Sequence, residues 1–232
     1  MQNQCGLPIP ISFFYSQLLS ASSPGRNAAV KALQNNPNPT TLQLEPQIIG
    51  ELIDIVLQNN VFEFNESFYL QKQGTAMGTK MAPSYANLFM GDLELQLLEL
   101  GKPRIHMWKR FIDDIFLIWT GSQQQLDEFM GKINSHHRTI KFTHETSENE
   151  ATFLDVTAYK GEKFQTTGIL DVKTHIKPTN KQLYVYASSY HPPATKLDIA
   201  KDEAKRYLRT NSTKQHFDGM LKKLTAKLIQ RG

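Results

Sequence analysis

The sequence predicts an α+β domain, an antiparallel sheet covered on one face by helices, with a small helical part after it. Three patterns carry this. Apolar residues recur at helical spacing in residues 46–57, 84–100 and 123–135, and short strand-like runs lie between and after them. Past Lys177-Pro178 the pattern becomes helical. A chain of 232 residues can bury a core as one large domain or two small ones, and 40% hydrophobic with 10% aromatic content is that of a globular protein.

Taken in order, residues 1–45 read as a loosely attached leader. Residues 9–19 suit a short helix or strand, Ser20-Ala-Ser-Ser-Pro-Gly25 breaks it, and a helical piece at 27–34 ends at Asn35-Asn-Pro-Asn-Pro-Thr-Thr41. From Pro46 an amphipathic helix carries Ile48, Ile49, Leu52, Ile53, Val56 and Leu57 to a stop at Asn59-Asn60. Residues 61–70 read as two short strands around a turn at Asn65 to Ser67. A loop with Gly74 and Gly78 then lets the backbone approach something closely, and Pro83 starts a helix over 84–100 that closes at Gly101 and Pro103. Such a loop can meet phosphate with free N–H groups and the positive end of the helix dipole, although the Gly-Lys-Ser/Thr ending of a Walker loop is missing.

Next comes Phe111-Ile-Asp-Asp-Ile-Phe-Leu-Ile-Trp119, two adjacent carboxylates inside an apolar run. Neighbouring carboxylates repel and resist leaving water, so a strand interior does not suit them without a cation or a turn. The reading is a hairpin: strands at 106–112 and 115–119, with Asp113 and Asp114 as the tight turn at its tip. Either these are solvated turn residues, or they are hard oxygen ligands for Mg²⁺ or Mn²⁺. Beyond the hairpin, a helix at 123–135 turns Leu126, Phe129, Met130 and Ile133 inward. Residues 139–144 and 151–160 are strands, and 164–176 is a third strand or a pair broken at Gly168. Residues 183–189 read as a short helical piece, His191-Pro-Pro193 interrupts it, and helices follow at 200–209 and 216–230. In the last of these Phe217, Leu221, Leu224, Leu228 and Ile229 face inward.

Charge is uneven. The net value is +4, yet residues 196–232 hold ten Lys or Arg against Asp198, Asp202, Glu203 and Asp218, which leaves the rest slightly acidic. This asymmetry suits a phosphate-bearing partner, or else marks the solvated faces of ordinary helices. The single cysteine, Cys5, excludes an internal disulfide and a Cys-Cys zinc site. No apolar run approaches the roughly 20 residues of a membrane span, and residues 1–10 lack the pattern of a signal peptide. An intracellular setting is expected, with no membrane partner. His136, His137 and His144 lie close in sequence but lack the spacing of a zinc site.

Gly74-Thr-Ala-Met-Gly-Thr-Lys-Met-Ala-Pro-Ser-Tyr-Ala-Asn87 running into a helix, followed by Phe111-Ile-Asp-Asp114, resembles motifs B and C of a reverse transcriptase palm. With Phe153-Leu-Asp-Val156, Lys177-Pro-Thr179 and residues 188–193, the pattern is most similar to Penelope-like retroelements, relatives of telomerase, over residues 46–232. The resemblance implies RNA-directed DNA polymerisation with Mg²⁺ or Mn²⁺, an RNA template, a DNA primer and deoxynucleotides as partners, and a nuclear site of action. It implies Asp113 and Asp114 as catalytic metal ligands. Gly74, Gly78, Thr79, Lys80, Ala82, Pro83 and Asn87 would shape the nucleotide and template pocket, and Lys141 would be a general acid. For Thr79, Lys80 and Lys141 an ordinary loop or surface role remains the alternative. The tail, residues 177–232, resembles a small helix-turn-helix-like segment able to grip nucleic-acid backbone through Lys205, Arg206, Arg209, Lys222, Lys223 and Lys227.

One departure matters. Family palms need a further aspartate, motif A, upstream of motif B, and the only Asp before residue 90 is Asp54, in the middle of a helix. The stretch where motif A should lie reads Pro8-Ile-Pro-Ile-Ser-Phe-Phe-Tyr15, without a carboxylate. The expected organisation is therefore a leader at 1–45 without motif A, a palm fragment truncated at its N-terminal side at 46–176, and a basic helical part at 177–232. Two functions follow: a polymerase domain inactive alone, or a non-catalytic nucleic-acid-binding remnant. A domain with no nucleic-acid role stands only if the motif matches are accidental.

Overall fold

The computed structural model describes residues 7–14, 24–35, 44–72, 75–76 and 78–232. It is a mixed α/β fold with small sheets and, among the described residues, seven helices, two of them forming the C-terminal part. In place of the single sheet that the sequence predicts, the strands form three. The chain divides into two compact units: residues 1–11, 106–120 and 144–232, and residues 12–105 and 121–143.

The second unit is largely helical. Helix α1 (Pro24–Gln34) packs on α2 (Pro46–Gln58) and α3 (Ala82–Gly101), and α3 packs on α4 (Gln123–His136). Helix α3 buries Tyr85, Phe89, Met90, Leu93 and Leu97, and α4 buries Leu126, Phe129, Met130 and Ile133, the four expected residues. A capping box starts α4: Ser122 Oγ accepts from Gln125 N, and the Gln125 side chain accepts from Ser122 N. In its last turn, Asn134 bonds both backbone groups of Phe142 in β6 (Lys141–His144), at 2.6 and 2.9 Å. Helix α2 differs from its expected face, because Ile48, Leu52, Ile55 and Val56 are exposed while Gly50 and Leu57 are buried. The hairpin β2 (Val61–Phe64) and β3 (Ser67–Leu70) turns at Asn65 and Glu66, both at positive φ, as a two-residue hairpin loop requires.

The first unit carries the Asp-Asp hairpin, β4 (Ile105–Phe111) and β5 (Asp114–Trp119), with its turn at Ile112-Asp113. Strand β5 buries Ile115, Phe116, Leu117 and Trp119. A second sheet follows in the order β7 (Glu150–Phe153), β8 (Val156–Tyr159), β9 (Asp171–Thr174), antiparallel throughout. The run 151–160, expected as one strand, is thus a hairpin. The short helix α5 (Phe164–Thr167) ends on Gly168 at φ +68° and supplies the break between β8 and β9. Helices α6 (Pro193–Thr210) and α7 (Lys214–Ile229) pack on each other and on β9. Tyr207, Met220 and Leu224 form the centre of that packing, with Ile176, Tyr184, Phe217, Leu221 and Leu228 against them. Ile229, expected inward, is 72% exposed. Residues 183–189, expected as helical, form neither helix nor strand.

The division between the units falls within β1 (Leu7–Phe14) and at the end of β6, and the strand order there is β4-β5-β1-β6. The expected leader therefore contributes an inner strand, and its helix α1 buries Ala28 and Ala29. Residues 1–6, 15–23 and 36–43 of the same stretch lie outside the described residues.

Candidate metal and nucleic-acid site

The carboxylate pair is set by the β4–β5 turn. Ile112 takes φ +53°, a region that a β-branched side chain resists, and Arg110 donates to its carbonyl at 3.2 Å. The turn is thus one residue earlier than Asp113-Asp114. Asp113 stands exposed at the tip and Asp114 is the half-buried first residue of β5. The four buried side chains that follow fix the strand under them. A hairpin of the same pattern recurs at Phe153-Leu-Asp-Val156, where Leu154 takes φ +56° and Phe153 pairs with Val156. Phe116, the third residue of β5, and Phe153, beside the second turn, meet at 5.9 Å between ring centroids, so the two hairpins touch through aromatic residues. In the second turn Asp155 is held by Arg206 Nη1 at 3.2 Å. Sequence reasoning passed over Asp155 as a partner for Arg206. The repeat of Phe-Ile-Asp as Phe-Leu-Asp was the signal available.

Adjacent carboxylates on a rigid turn fit one hard cation that keeps part of its water shell. They do not fit a two-ion clamp, which needs a further ligand. Among the described residues no three His, Cys, Asp or Glu side chains gather as a metal-holding group. Strand β1, next to β5 in the order, contains neither Asp nor Glu. Asp54 is committed elsewhere: Arg26 Nε lies 2.8 Å from its carboxylate.

The motif-B-like residues belong to the second unit. Gly74 lies outside the described residues. Gly78 takes φ +96° in open space, where a side chain would be strained by the backbone alone. Thr79 is half-buried and Lys80 exposed, and the loop tightens into α3 through Ala82 N to Thr79 O at 3.0 Å. Ala82 is half-buried, with Pro83 and Asn87 exposed on the first turns of α3. Tyr85 points the other way, and burial first, then Asp54, pushes its hydroxyl pKa up. The Lys141 ammonium donates to the carbonyls of Asn134 and His137 and so closes the C-terminal end of α4. Asp113 and Asp114 belong to the first unit and the loop and Lys141 to the second, so each group stands in its own frame.

No family model matches the chain, and no curated protein does. Among solved structures it is similar to apo telomerase from Candida tropicalis truncated from its C-terminal domain. The match has a TM-score of 0.48 and 14% identity over 73% of this chain and 36% of that one. The chain thus spans about a third of that protein's length.

The cations of the tail divide into two groups. Arg206 is engaged within the protein. It spans Asp155 and Glu203, lies over the Tyr207 ring at 5.0 Å, and has its pKa raised, chiefly by the hydrogen bond to Glu203. Lys205 is exposed and lies 3.1 Å from Asp202, a surface pair of small energy. Arg209, Lys222 and Lys223 are exposed, and Lys227 is half-exposed. Among the described residues no helix is long and apolar enough to cross a membrane.

Proposed function

We propose that this chain is a reverse-transcriptase-like palm of the Penelope-like kind that grips RNA template paired with DNA primer and, on its own, does not extend the primer. The observation that carries the reading is the β4–β5 turn. A strained Ile112 and a fully anchored β5 present Asp113 and Asp114 together at a hairpin tip, an arrangement that costs about 1–3 kcal/mol in backbone strain. Mg²⁺ or Mn²⁺ held there would supply positive charge against substrate phosphate. In this reading Thr79, Lys80 and the start of α3 face the triphosphate of a deoxynucleotide, where N–H groups and the helix dipole favour anions. Arg209, Lys222, Lys223 and Lys227 contact the nucleic-acid backbone. The lack of turnover follows from β1. Losing one carboxylate from a set that acts as a unit costs far more rate than one independent contact.

Primer extension on an RNA template with Mg²⁺ or Mn²⁺, run with Asp113→Ala and Asp114→Ala beside the parent, tests this. The expected result is no extension by any of the three, together with template-primer binding that falls steeply as salt rises. Extension that disappears in both variants would overturn the absence of turnover. Binding that is absent or insensitive to salt would overturn the nucleic-acid reading altogether.

A further inference from the structure

Between Asp171 and Asp198 the chain carries Lys173, His175, Lys177, Lys181, His191 and Lys196 and not one acidic residue. Much of this stretch, residues 177–192, is neither helix nor strand, yet it is firmly attached. Tyr184 packs into the cluster around Tyr207, and Gln182 Nε2 donates to the Tyr207 hydroxyl at 3.2 Å. Ala187 N donates to Arg231 O at 2.9 Å, and the Lys196 ammonium donates to Ala187 O. What the held segment projects is aromatic. Tyr186 is 56% exposed, with the Arg231 guanidinium 4.4 Å from its ring centroid, and Tyr190 stands wholly in water.

Among the described residues, exposed aromatic rings also occur singly at Phe111 and together on the β2–β3 hairpin, where Phe62 and Tyr69 stack at 5.6 Å and Phe64 and Phe68 are open to solvent. Charge separates the two surfaces. The hairpin carries Glu63 and Glu66, and the sequence has no Lys, Arg or His between Lys31 and Lys72, so a phosphate chain is repelled there. The 177–192 segment offers the opposite: exposed rings, a guanidinium 4.4 Å from the centroid of one of them, and cations without an acidic residue in its own sequence, the Glu203 carboxylate being engaged by Tyr184 and Arg206.

We propose that Tyr186, Tyr190 and Arg231 form a stacking platform for unpaired bases of a single-stranded nucleic acid, with Lys177, Lys181 and His191 beside its phosphates. The proposal rests on the nucleic-acid reading above and adds the form of strand that this surface takes. Stacking is indifferent to base identity because every base has a π-face, so the platform would hold a strand without reading it.

Fluorescence anisotropy with labelled oligo-dT and oligo-rU a dozen nucleotides long, and an abasic deoxyribose-phosphate strand of the same length, tests it. The expected result is tighter binding of both base-bearing strands than of the abasic one. Tyr190→Ala and Tyr186→Ala each weaken the base-bearing strands about tenfold, Tyr190→Phe restores the parent affinity, and the salt slope is unchanged. Both tyrosines are exposed, so these variants are expected to fold, and unchanged circular dichroism would confirm it. Lys222→Ala with Lys223→Ala should instead weaken all three strands alike and flatten the salt slope. Equal affinity for abasic and base-bearing strands, or tyrosine variants that bind like the parent, overturns the platform. If the lysine variant still weakens binding in that case, the nucleic-acid reading survives alone. If the parent holds no strand at low salt, both fall together.

Discussion

Two glycine-to-alanine substitutions in the second unit should move stability in opposite directions. At Gly131, on the exposed face of α4, an added Cβ meets nothing within 4 Å. Alanine there gains the helix propensity that glycine forgoes, about 0.5–1 kcal/mol. At Gly101, the last residue of α3, the same atom would lie 2.3 Å from Ile105 Cδ1, 2.7 Å from Ile105 Cγ1 and 3.0 Å from Phe129 Cε2. The Cδ1 methyl can swing aside, but Cγ1 is fixed by the stiff χ1 of a β-branched residue, and Phe129 is buried. Overpacking of this kind costs about 1–3 kcal/mol, more than the propensity returns at a helix end. Gly101→Ala should therefore destabilise by about 1–2 kcal/mol, some 2 kcal/mol apart from Gly131→Ala. Hydrogen exchange read on peptides from α3 and α4 reports this locally, and 2 kcal/mol corresponds to roughly 30-fold in the opening equilibrium. Should both variants slow exchange to the same extent, the close approach of α3, Ile105 and Phe129 would be wrong.

Three further outcomes are expected. Asn211 is buried at the end of α6, where its side chain accepts from Thr174 N and donates to Thr174 Oγ1 and Tyr207 O. Asn211→Ala should cost about 2–3 kcal/mol in urea unfolding, since it leaves buried partners unpaired; a loss under about 0.5 kcal/mol would contradict that network. His137 has its pKa lowered by burial, then by His136 and Lys141, and its Nδ1 accepts from Thr139 N. The unfolded chain therefore takes up this proton first, so stability should be lost as pH falls through about 6.5 and level off below the lowered folded value. His137→Gln should flatten that part of a Tm-versus-pH curve. Ile112→Gly should leave stability unchanged or raise it by up to about 1 kcal/mol, because relief at φ +53° offsets the contacts of a side chain already 52% exposed; a loss beyond about 1 kcal/mol in thermal melts would show that the turn is not strained.

Helix α4 was legible in the sequence because its inward residues and its length agree, and each is a local signal. Turn chemistry misplaced the hairpins. Two aspartates look like a turn, whereas isoleucine and leucine do not, so the turn at Ile112-Asp113 shifted by one residue and the one at Leu154-Asp155 went unseen. Strand β1 was legible only as one side of a helix-or-strand alternative, since its neighbours β5 and β6 are far away in sequence and Pro8 and Pro10 argue against an inner strand. At the site, residue types were readable and their partners were not. Nothing local indicates that Arg206 is taken by Asp155, 51 positions earlier, or that Lys141 turns back onto α4.

The position of β1 sets a timing problem for the ribosome. Leu-Pro-Ile-Pro-Ile-Ser-Phe-Phe emerges about 100 residues before β5, the strand beside it in the sheet. At 5–20 residues per second that is a delay of roughly 5–20 s, during which an apolar segment of high strand propensity has no native neighbour. Pro8 and Pro10, at alternate positions, remove two N–H donors from one edge of that segment and leave the other edge able to pair. The same two prolines that disguise the strand in the sequence would confine pairing between nascent chains to one edge, so that such pairs cannot extend into a sheet, while it waits.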